Sequence, residues 1–346
     1  MGFCLYSSSD VGSWQLAFEG VGSPGVYHSP DYVRLLEQHG YGIAELSRWV
    51  SEEGQVYYPY FKRKVEGAGI KNLWDIQSSW YYGGPIVKAA DSAAEKSLLQ
   101  NFRQAFSEQC SQARVVSEFV RFDPNLMNHS VFESVERVDL NRETVYVDLG
   151  RSEEDIWAEL KSENRTSIRK ARKSGVSVDV SRSKTDIVRF VEIYEEEMSR
   201  KGAYSHYNLD QTFFEDLVEM IGNQFVLICG SVEGRMVGAT LCLYDGHTAY
   251  DFLMASLPDY WDMRINNLLM FESIVWAKQH GLDRFDLQGG REGVFRFKGT
   301  FSDRRAEFYT AGIVHDRCAY DSLCASAGAP PDSQDYFPAY RKRDSN

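Results

Sequence analysis

The fold of this chain is decided by residues 224–288, which read QFVLICGSVEGRMVGATLCLYDGHTAYDFLMASLPDYWDMRINNLLMFESIVWAKQHGLDRFDLQ. Three apolar runs, at 224–232, 236–244 and 248–255, are separated by the dipeptides Glu-Gly and Asp-Gly. That pattern is typical of an antiparallel three-stranded meander. A helical pattern over about 267–281 leads into another strand at 284–287. The segment therefore predicts an α/β unit in which a mixed sheet is flanked by helices.

The first half of the chain repeats this order. Strands at 43–50 and 56–65 are joined at a second Glu-Gly turn, and they are followed by an aromatic strand at 80–87, a helix at about 92–109 and a strand at 114–122. The repetition is one of order and not of detectable sequence. It predicts two similar halves of mixed α/β (α+β) type, at residues 1–145 and 146–320, with a C-terminal tail at 321–346.

Composition narrows the classes of protein to consider. The 346 residues are 43% hydrophobic and 25% charged, which is ordinary for a globular protein and excludes disordered and fibrous classes. A net charge of −12 argues against general nucleic-acid coating, although a local basic groove stays open. The longest apolar runs are far too short to span a membrane. We expect a cytoplasmic protein without a secretory signal.

Several familiar sites find no support in the sequence. The six cysteines form no CxxC pair, so we expect reduced thiols. The seven histidines show no HExxH or paired Cys/His spacing, so no metal is predicted. No GxSxG serine elbow is present, and residues 293–300 carry their Lys and Gly in the wrong order for a phosphate loop. No cofactor is predicted.

A concentrated basic stripe lies in a helical stretch that Ser152 begins and Gly175 ends. If this helix is continuous, one of its faces carries Lys161, Arg165, Arg169 and Arg172. The stripe can be read as a solvated helix face, which is the usual meaning of a charge run. It can equally be read as an anion site, because Arg grips phosphate with paired donors. Both interpretations stay open at this point.

The second informative segment is 286–301, DLQGGREGVFRFKGTF. Its glycines allow a ligand to approach the backbone closely. We interpret the part that follows them as a strand with Phe295, Phe297 and Phe301 on one face and Arg296 and Lys298 on the other. This is either a surface strand with a bulged entry or a site at which a lysine supplies positive charge to a developing oxyanion.

Taken together, these stretches resemble the FemAB/FemX family. The resemblance lies in LKSENRTSIRKARKSGV at 160–176, NLLMFE at 267–272, DLQG at 286–289 and FKGTF at 297–301, and in the first half in HSPDY at 28–32 and YGGP at 82–85. It covers roughly residues 25–315, and the order of the motifs carries it. Members of that family are aminoacyl-tRNA-dependent peptidyltransferases that build peptidoglycan bridges, and they consist of two GNAT-like acyltransferase domains.

The resemblance implies roles for individual residues. The catalytic lysine of the FK pair corresponds to Lys298, and the precursor-phosphate arginine falls in Arg200-Lys201-Gly202. Tyr82 belongs to the tyrosine-glycine-proline turn. Two features depart from the family pattern: nothing sustains the heptads of a coiled-coil arm, and the opening helix has Leu35 and Leu36, with Arg34 nearby, where cell-wall members often carry a phosphate-binding lysine.

Three functions are therefore carried forward. The first is an aminoacyltransferase that takes an aminoacyl group from tRNA to an amine of a peptide or nucleotide-linked muropeptide. In it Lys298 is catalytic, and the substrate contacts are predicted at Arg165, Arg169, Arg200, Tyr82, Arg296 and Phe297. The second is a coenzyme-A-dependent N-acyltransferase, which the absence of glycines at 264–269 argues against. The third is a non-catalytic peptide- or glycan-binding protein.

Overall fold

The computed structural model of the chain describes residues 2–66, 69, 71–201, 209–333 and 336–342. The chain divides into two compact units, residues 1–142 with 307–346, and residues 143–306. The domain boundaries predicted from the sequence stay predictions. The compact units differ from them in that residues 307–346 pack within the first unit.

The first unit contains most of its elements before residue 142. They are β1 (Gly2–Ser7), α1 (Val11–Gly20), α2 (Pro30–Gln38), β2 (Ile43–Ser51), β3 (Gly54–Val65), β4 (Leu73–Gln77), β5 (Ile86–Ala89), α3 (Ser92–Gln112), β6 (Val115–Arg121) and α4 (His129–Phe132). β7 (Asp139–Asp148) leads from this unit into the second.

The second unit continues in chain order. Its elements are α5 (Glu153–Glu159), α6 (Ser162–Lys173), β8 (Ser177–Ser181), α7 (Lys184–Lys201), α8 (Gln211–Met220), β9 (Phe225–Val232), β10 (Arg235–Tyr244), β11 (Thr248–Ser256), α9 (Ile265–Gln279), β12 (Arg284–Gln288) and α10 (Glu292–Lys298). β13 (Arg305–Val314) returns to the first unit, which ends with α11 (Arg317–Ser326). Short 3₁₀ helices lie at Val26–His28, Pro258–Met263 and Ala339–Arg341.

Each unit has a mixed sheet with the same pairing pattern. In the first unit the strand order is β1-β2-β3-β4-β6-β13, and β5 also pairs with β3. In the second it is β7-β12-β11-β10-β9-β8. One neighbouring pair is parallel in each sheet, β4 with β6 and β11 with β12, while the other described pairs are antiparallel. The mixed α/β fold with two similar halves, predicted from the repeated order, is confirmed.

Helices cover the sheets with apolar faces. In the first unit α3 packs Leu98, Leu99 and Phe102 into a core with the strands. In the second unit α9 is buried along most of its length, and it approaches β9 so closely that a Cβ on Gly230 would lie 2.9 Å from the Ile265 side chain. A helix that is apolar on nearly all sides belongs inside a protein.

Local sequence signals set several of the boundaries. Ser29 caps α2 by accepting from the Tyr32 N–H, with Pro30 at the first helical position, and Ser152 caps α5 in the same way through Asp155. The helix predicted from Ser152 to Gly175 is in fact two helices, because Leu160 and Lys161 adopt extended conformations between α5 and α6. The predicted end of α7 at Gly202 lies outside the described residues.

Candidate active site

The candidate site lies where two neighbouring strands of the second unit part company. In the described register β11 pairs in parallel with β12 from Thr248 opposite Arg284 to Tyr250 opposite Asp286. β11 continues to Ser256, while the end of β12 pairs with β7. The register between β10 and β11 shifts here, from Leu241 opposite Leu253 to Cys242 opposite Asp251. Such a bulge bends a strand and redirects its side chains, so Asp251 follows the last parallel pair at the bend.

A buried ion pair occupies this place. Lys298 Nζ lies 3.1 Å from Asp251 Oδ2, and the two side chains are only 9% and 7% exposed. Asp251 Oδ1 is also buried, and it has no hydrogen-bond partner among the residues that the structure describes. Burying charge is costly unless every polar atom is satisfied. The pair therefore has an unused hydrogen-bond acceptor in a protected position.

The charge of Asp251 also acts on its neighbour across the strands. Burial in the first place, and the Asp251 carboxylate in the second, raise the pKa of the Cys242 thiol. Cys242 is fully buried and faces Asp251 in the register. A thiol of raised pKa stays protonated, so Cys242 is not a nucleophile at this site.

Lys298 is carried by a helix, and the strand predicted for residues 293–300 is wrong. The chain leaves β12 through Gln288, whose positive φ of 62° is stabilised by a 2.7 Å hydrogen bond from its N–H to Asp286 Oδ1. Gly290 is required next, because a Cβ there would lie 2.7 Å from Val294 Cγ1. Glu292 then begins α10, where an acid suits the positive end of the helix dipole.

The change from strand to helix rearranges the predicted faces. Phe297 and Phe301 contact each other at a ring distance of 5.2 Å, while Arg296 is exposed and Lys298, two residues later, is buried. In a strand these two cations would share a face, whereas in a helix positions two apart do not. Alternation of aromatic and basic residues misled the prediction because it ignored the helix-starting signals around Glu292.

The end of α10 is held by a network that sequence reasoning missed. The Thr300 carbonyl accepts from Asn164 Nδ2 at 3.2 Å and from the Lys161 N–H at 2.9 Å. Asn267 Nδ2 in turn donates to Asn164 Oδ1 at 2.9 Å. Asn164, 1% exposed on α6, thereby ties α9 and the segment after Lys298 together. The sequence signal was available, since an Asn in the first turn of one helix and another in the first turn of the next are both polar residues on otherwise apolar contact faces.

The basic stripe is engaged within the second unit. Arg165 Nη1 donates to the Leu160 carbonyl and, at 2.9 Å, to the Ala158 carbonyl, both at the end of α5. Arg169 lies over the Trp157 ring at 5.3 Å, and Arg172 pairs with Glu272 at 2.8 Å. These contacts give the stripe a structural role, while the predicted phosphate role of Arg165 and Arg169 stays a prediction.

Arg200 lies at the far end of β11. Its guanidinium covers the Trp261 ring at 4.4 Å, and Trp261 Nε1 donates to Ser256 Oγ at 3.0 Å. The Ser256 N–H donates to Glu197 Oε2 at 2.9 Å. Arg200 and Trp261 are both exposed. Because Ser256 follows Asp251 by five residues, the arginine is roughly 16 Å along the strand from the ion pair.

Tyr82 belongs to the first unit. It is buried, with its ring 5.5 Å from that of Tyr27 and 5.9 Å from that of Phe308. The following Gly83 forms a parallel bridge with Phe122. The structure thus brings Lys298, Arg296 and Phe297 together on α10, with Arg165 and Arg169 on the neighbouring α6, and places Tyr82 in an aromatic cluster of the other unit.

Comparison with known proteins agrees with this architecture. Residues 159–299 match the family model of the acetyltransferase (GNAT) domain. Among solved structures, FemX has a TM-score of 0.69 at 13% identity, with 93% of this chain and 99% of FemX covered. The C-terminal domain of a proposed lysylphosphatidylglycerol synthetase from Agrobacterium fabrum has a TM-score of 0.59 at 16% identity, with 93% and 97% covered.

A tandem GNAT protein from the clavulanic acid biosynthesis pathway is also similar, with a TM-score of 0.50 at 11% identity and 90% and 98% of the two chains covered. A search of the curated proteins gives no match to this sequence. Within the described part of the chain, no helix combines the length and the apolar character needed to cross a membrane. The resemblance inferred from the order of motifs is confirmed: the chain has a GNAT acetyltransferase domain and the tandem-GNAT fold of FemX.

Proposed function

We propose that this protein is an N-acyltransferase that moves an aminoacyl group from aminoacyl-tRNA to an amine of a peptide or nucleotide-linked muropeptide. The observation that carries the proposal is the buried Lys298, paired with Asp251 where β11 and β12 separate. The amine attacks the ester carbonyl, a C–N bond forms and the C–O bond to the tRNA breaks. No enzyme nucleophile is needed for this transfer.

Lys298 would act on the charge that develops during the attack. A preorganised cationic donor in a site with little water stabilises a tetrahedral oxyanion or the departing oxygen far better than it could in bulk water. Holding an ammonium group in a nearly buried position costs stability, which a purely structural pair would recover by satisfying both partners. The unpartnered Asp251 Oδ1 indicates that the pair serves a substrate.

Substrate phosphates are assigned to the exposed arginines. Arg200, stacked on Trp261 at the end of β11, has a fixed position from which to bind a phosphate of the acceptor or of the tRNA. Arg165 and Arg169 are assigned to the donor on the same reasoning, with Arg169 the more accessible of the two. Arg296 and Phe297 flank Lys298 on α10 and would contact the donor, and Tyr82 the acceptor.

The choice of donor rests on the start of α9. Coenzyme A pyrophosphate is commonly held by a glycine-rich turn at a helix N-terminus. Here the residue before the helix is Arg264, in the left-handed region with φ of 63°, and residues 264–269 contain no glycine. In favour of an acyl-CoA donor stand the acetyltransferase domain match and the tandem GNAT relative, whose description refers to acetyl-CoA. We rank tRNA first and acyl-CoA second, with a non-catalytic peptide- or glycan-binding protein third.

The test compares donors and then removes the lysine. Purified protein is given either total tRNA charged with labelled amino acids or a series of acyl-CoA thioesters, with a panel of amines as acceptors. With the active donor, Lys298→Met should slow transfer at least about tenfold with an unchanged melting temperature, because one donor to an oxyanion is worth a few kcal/mol.

Lys278→Met is the matched control. Lys278 Nζ also donates within this unit, to the Leu149 carbonyl at 3.0 Å, and it is remote from α10 in sequence. Its removal should leave the transfer rate near that of the parent. Equal rates in the parent and Lys298→Met would remove Lys298 from the mechanism. Failure of every donor would favour the binding-protein alternative.

A further inference from the structure

The two oxygens of Asp251 have different surroundings. Oδ2 lies 3.1 Å from Lys298 Nζ, whereas Oδ1 is buried without a hydrogen-bond partner in the described part of the chain. An ionised carboxylate can accept several hydrogen bonds, and an unsatisfied buried acceptor is expensive. One oxygen therefore holds the lysine, and the other is ready for a donor that the protein itself does not supply.

The position of Asp251 makes a substrate group the natural donor. It follows Tyr250, the last residue of β11 that pairs with β12 in the described register, and it faces Cys242 across a bulge. Past this point β11 has its β10 neighbour on one side, and it no longer pairs with β12 on the other. A ligand that enters between the separating strands would meet Lys298 and Asp251 together.

We propose that Asp251 Oδ1 binds the acceptor amine and takes its proton during attack, an inference that rests on the transferase function proposed above. As the C–N bond forms, the amine proton moves to Asp251. As the C–O bond breaks, Lys298 gives a proton to the leaving oxygen. The proton then passes from the neutral carboxyl group to the neutral lysine, and the ion pair is restored. The net proton transfer is from the amine to the leaving alcohol.

This assignment differs from a positioning role in a measurable way. If Asp251 only orients Lys298, its loss should slow every acceptor equally, because each reaction needs the same oxyanion stabilisation. If Asp251 takes the amine proton, its loss should be felt most by an alkyl amine, which is protonated at neutral pH. Hydroxylamine, which is already neutral and a strong nucleophile, should need this help much less.

The experiment measures transfer from total charged tRNA to an alkyl amine and to hydroxylamine, after subtraction of the uncatalysed reactions. Asp251→Asn keeps the shape of the side chain and an oxygen that can face Lys298. We expect about a hundredfold slower transfer to the alkyl amine and less than about tenfold slower transfer to hydroxylamine. Lys298→Met should slow both acceptors by the same factor.

Asp286→Asn is the matched control. It changes another buried aspartate, opposite Tyr250, whose Oδ1 accepts from the Gln288 N–H, and it should leave the ratio of the two rates unchanged. If Asp251→Asn does not fold, Asp251→Glu, which keeps the charge but moves the carboxylate, should lower the same ratio. An unchanged ratio in a folded Asp251 variant overturns the inference while the transferase function stands. Absence of transfer by the parent with either nucleophile would instead count against the proposed function.

Discussion

The two units treat their parallel strand pair in opposite ways. In the first unit the space beyond β4 and β6 is closed by hydrogen bonds: the Ser78 N–H donates to the Phe119 carbonyl at 3.0 Å, and the Arg121 N–H donates to Ser78 Oγ at 2.8 Å. Gly83 then bridges to Phe122. In the second unit the corresponding pairing ends at Tyr250, and a charged pair follows. The same strand order can thus form a sealed support or an open site.

The buried carboxylates show the same contrast. Glu118, on β6, accepts from both terminal nitrogens of Arg103 at 3.0 and 2.9 Å, from the Tyr58 hydroxyl at 2.8 Å, and contacts His315 at 3.0 Å. Asp251 has Lys298 on one oxygen and an unsatisfied second oxygen. A complete network stabilises a core, whereas an incomplete one is costly unless a ligand completes it.

The largest effect on stability is expected from Glu118→Gln. Burial alone would raise the pKa of Glu118, but the Arg103 guanidinium and His315 lower this pKa to about 2. Removing the charge leaves Arg103 buried and unpaired, which should cost about 3 kcal/mol in the free energy of unfolding. Urea unfolding measures it. Glu136→Gln is the control, since Glu136 is about one-third exposed and lies 3.4 Å from the same arginine, and it should cost at most about 1 kcal/mol.

The lowered pKa of Glu118 also fixes the direction of the pH dependence. Its stabilising charge is fully present above the ordinary carboxyl pKa of 4.5 and is lost as the pH falls toward about 2. The parent should therefore lose stability over that interval more steeply than Glu118→Gln. Parallel acid limbs in the two proteins would mean that Glu118 is not charged in the folded state.

The second prediction replaces the whole charged pair of the other unit. In Asp251→Asn combined with Lys298→Met, no buried charge remains, so the free energy of unfolding should equal that of the parent or exceed it by up to about 2 kcal/mol. Transfer activity should be lost. A functional site commonly costs stability in this way. A double variant less stable than the parent by more than about 1 kcal/mol would assign the pair to the fold and weaken the contrast between the units.

How much of this could be predicted from the sequence follows from how local each signal is. The meander, α9 and the cap at Ser29 were predicted correctly, because periodicity and capping act within a few residues. The short strands β4 and β8 and the late strand β13 were missed, since pairing with residues distant in the chain decides them. Lys298 was identified through the resemblance, whereas its helix was not.

Asp251 illustrates a different limit. A charged residue between Tyr250 and Phe252, inside an apolar strand, is a visible anomaly in the sequence. Its partner is 47 positions later, at the end of a helix that had been predicted as a strand. No local pattern connects the two. The same holds for Asn164, whose role depends on the carbonyl of Thr300 and on Asn267, both far along the chain.

The third prediction concerns that support. Asn164→Ala removes the hydrogen bond to the Thr300 carbonyl and should cost about 1 kcal/mol of stability. Because the end of α10 would then be less well fixed, kcat should fall about threefold to tenfold while KM for the donor stays constant. Asn267→Ala is the control, since it breaks only the bond to Asn164 and should affect kcat less. Equal kinetics in Asn164→Ala and the parent would leave Asn164 a purely structural residue.

The smallest effect is expected from the basic stripe of α6, where two roles compete. Arg165 and Arg169 are replaced together by Gln. The loss of the Arg165 bonds to the end of α5 should cost about 1 kcal/mol at most, whether or not phosphate binds. The matched control replaces the exposed Lys170 and Lys173 of the same helix by Gln, which removes an equal charge. If the arginines hold tRNA phosphates, the arginine variant should raise KM for charged tRNA by about threefold to tenfold. It should also flatten the salt dependence of binding more than the lysine variant does. Salt titrations of the parent and both variants measure this. Identical salt slopes and KM values in the two variants would reduce Arg165 and Arg169 to contacts within the unit and leave phosphate binding to Arg200.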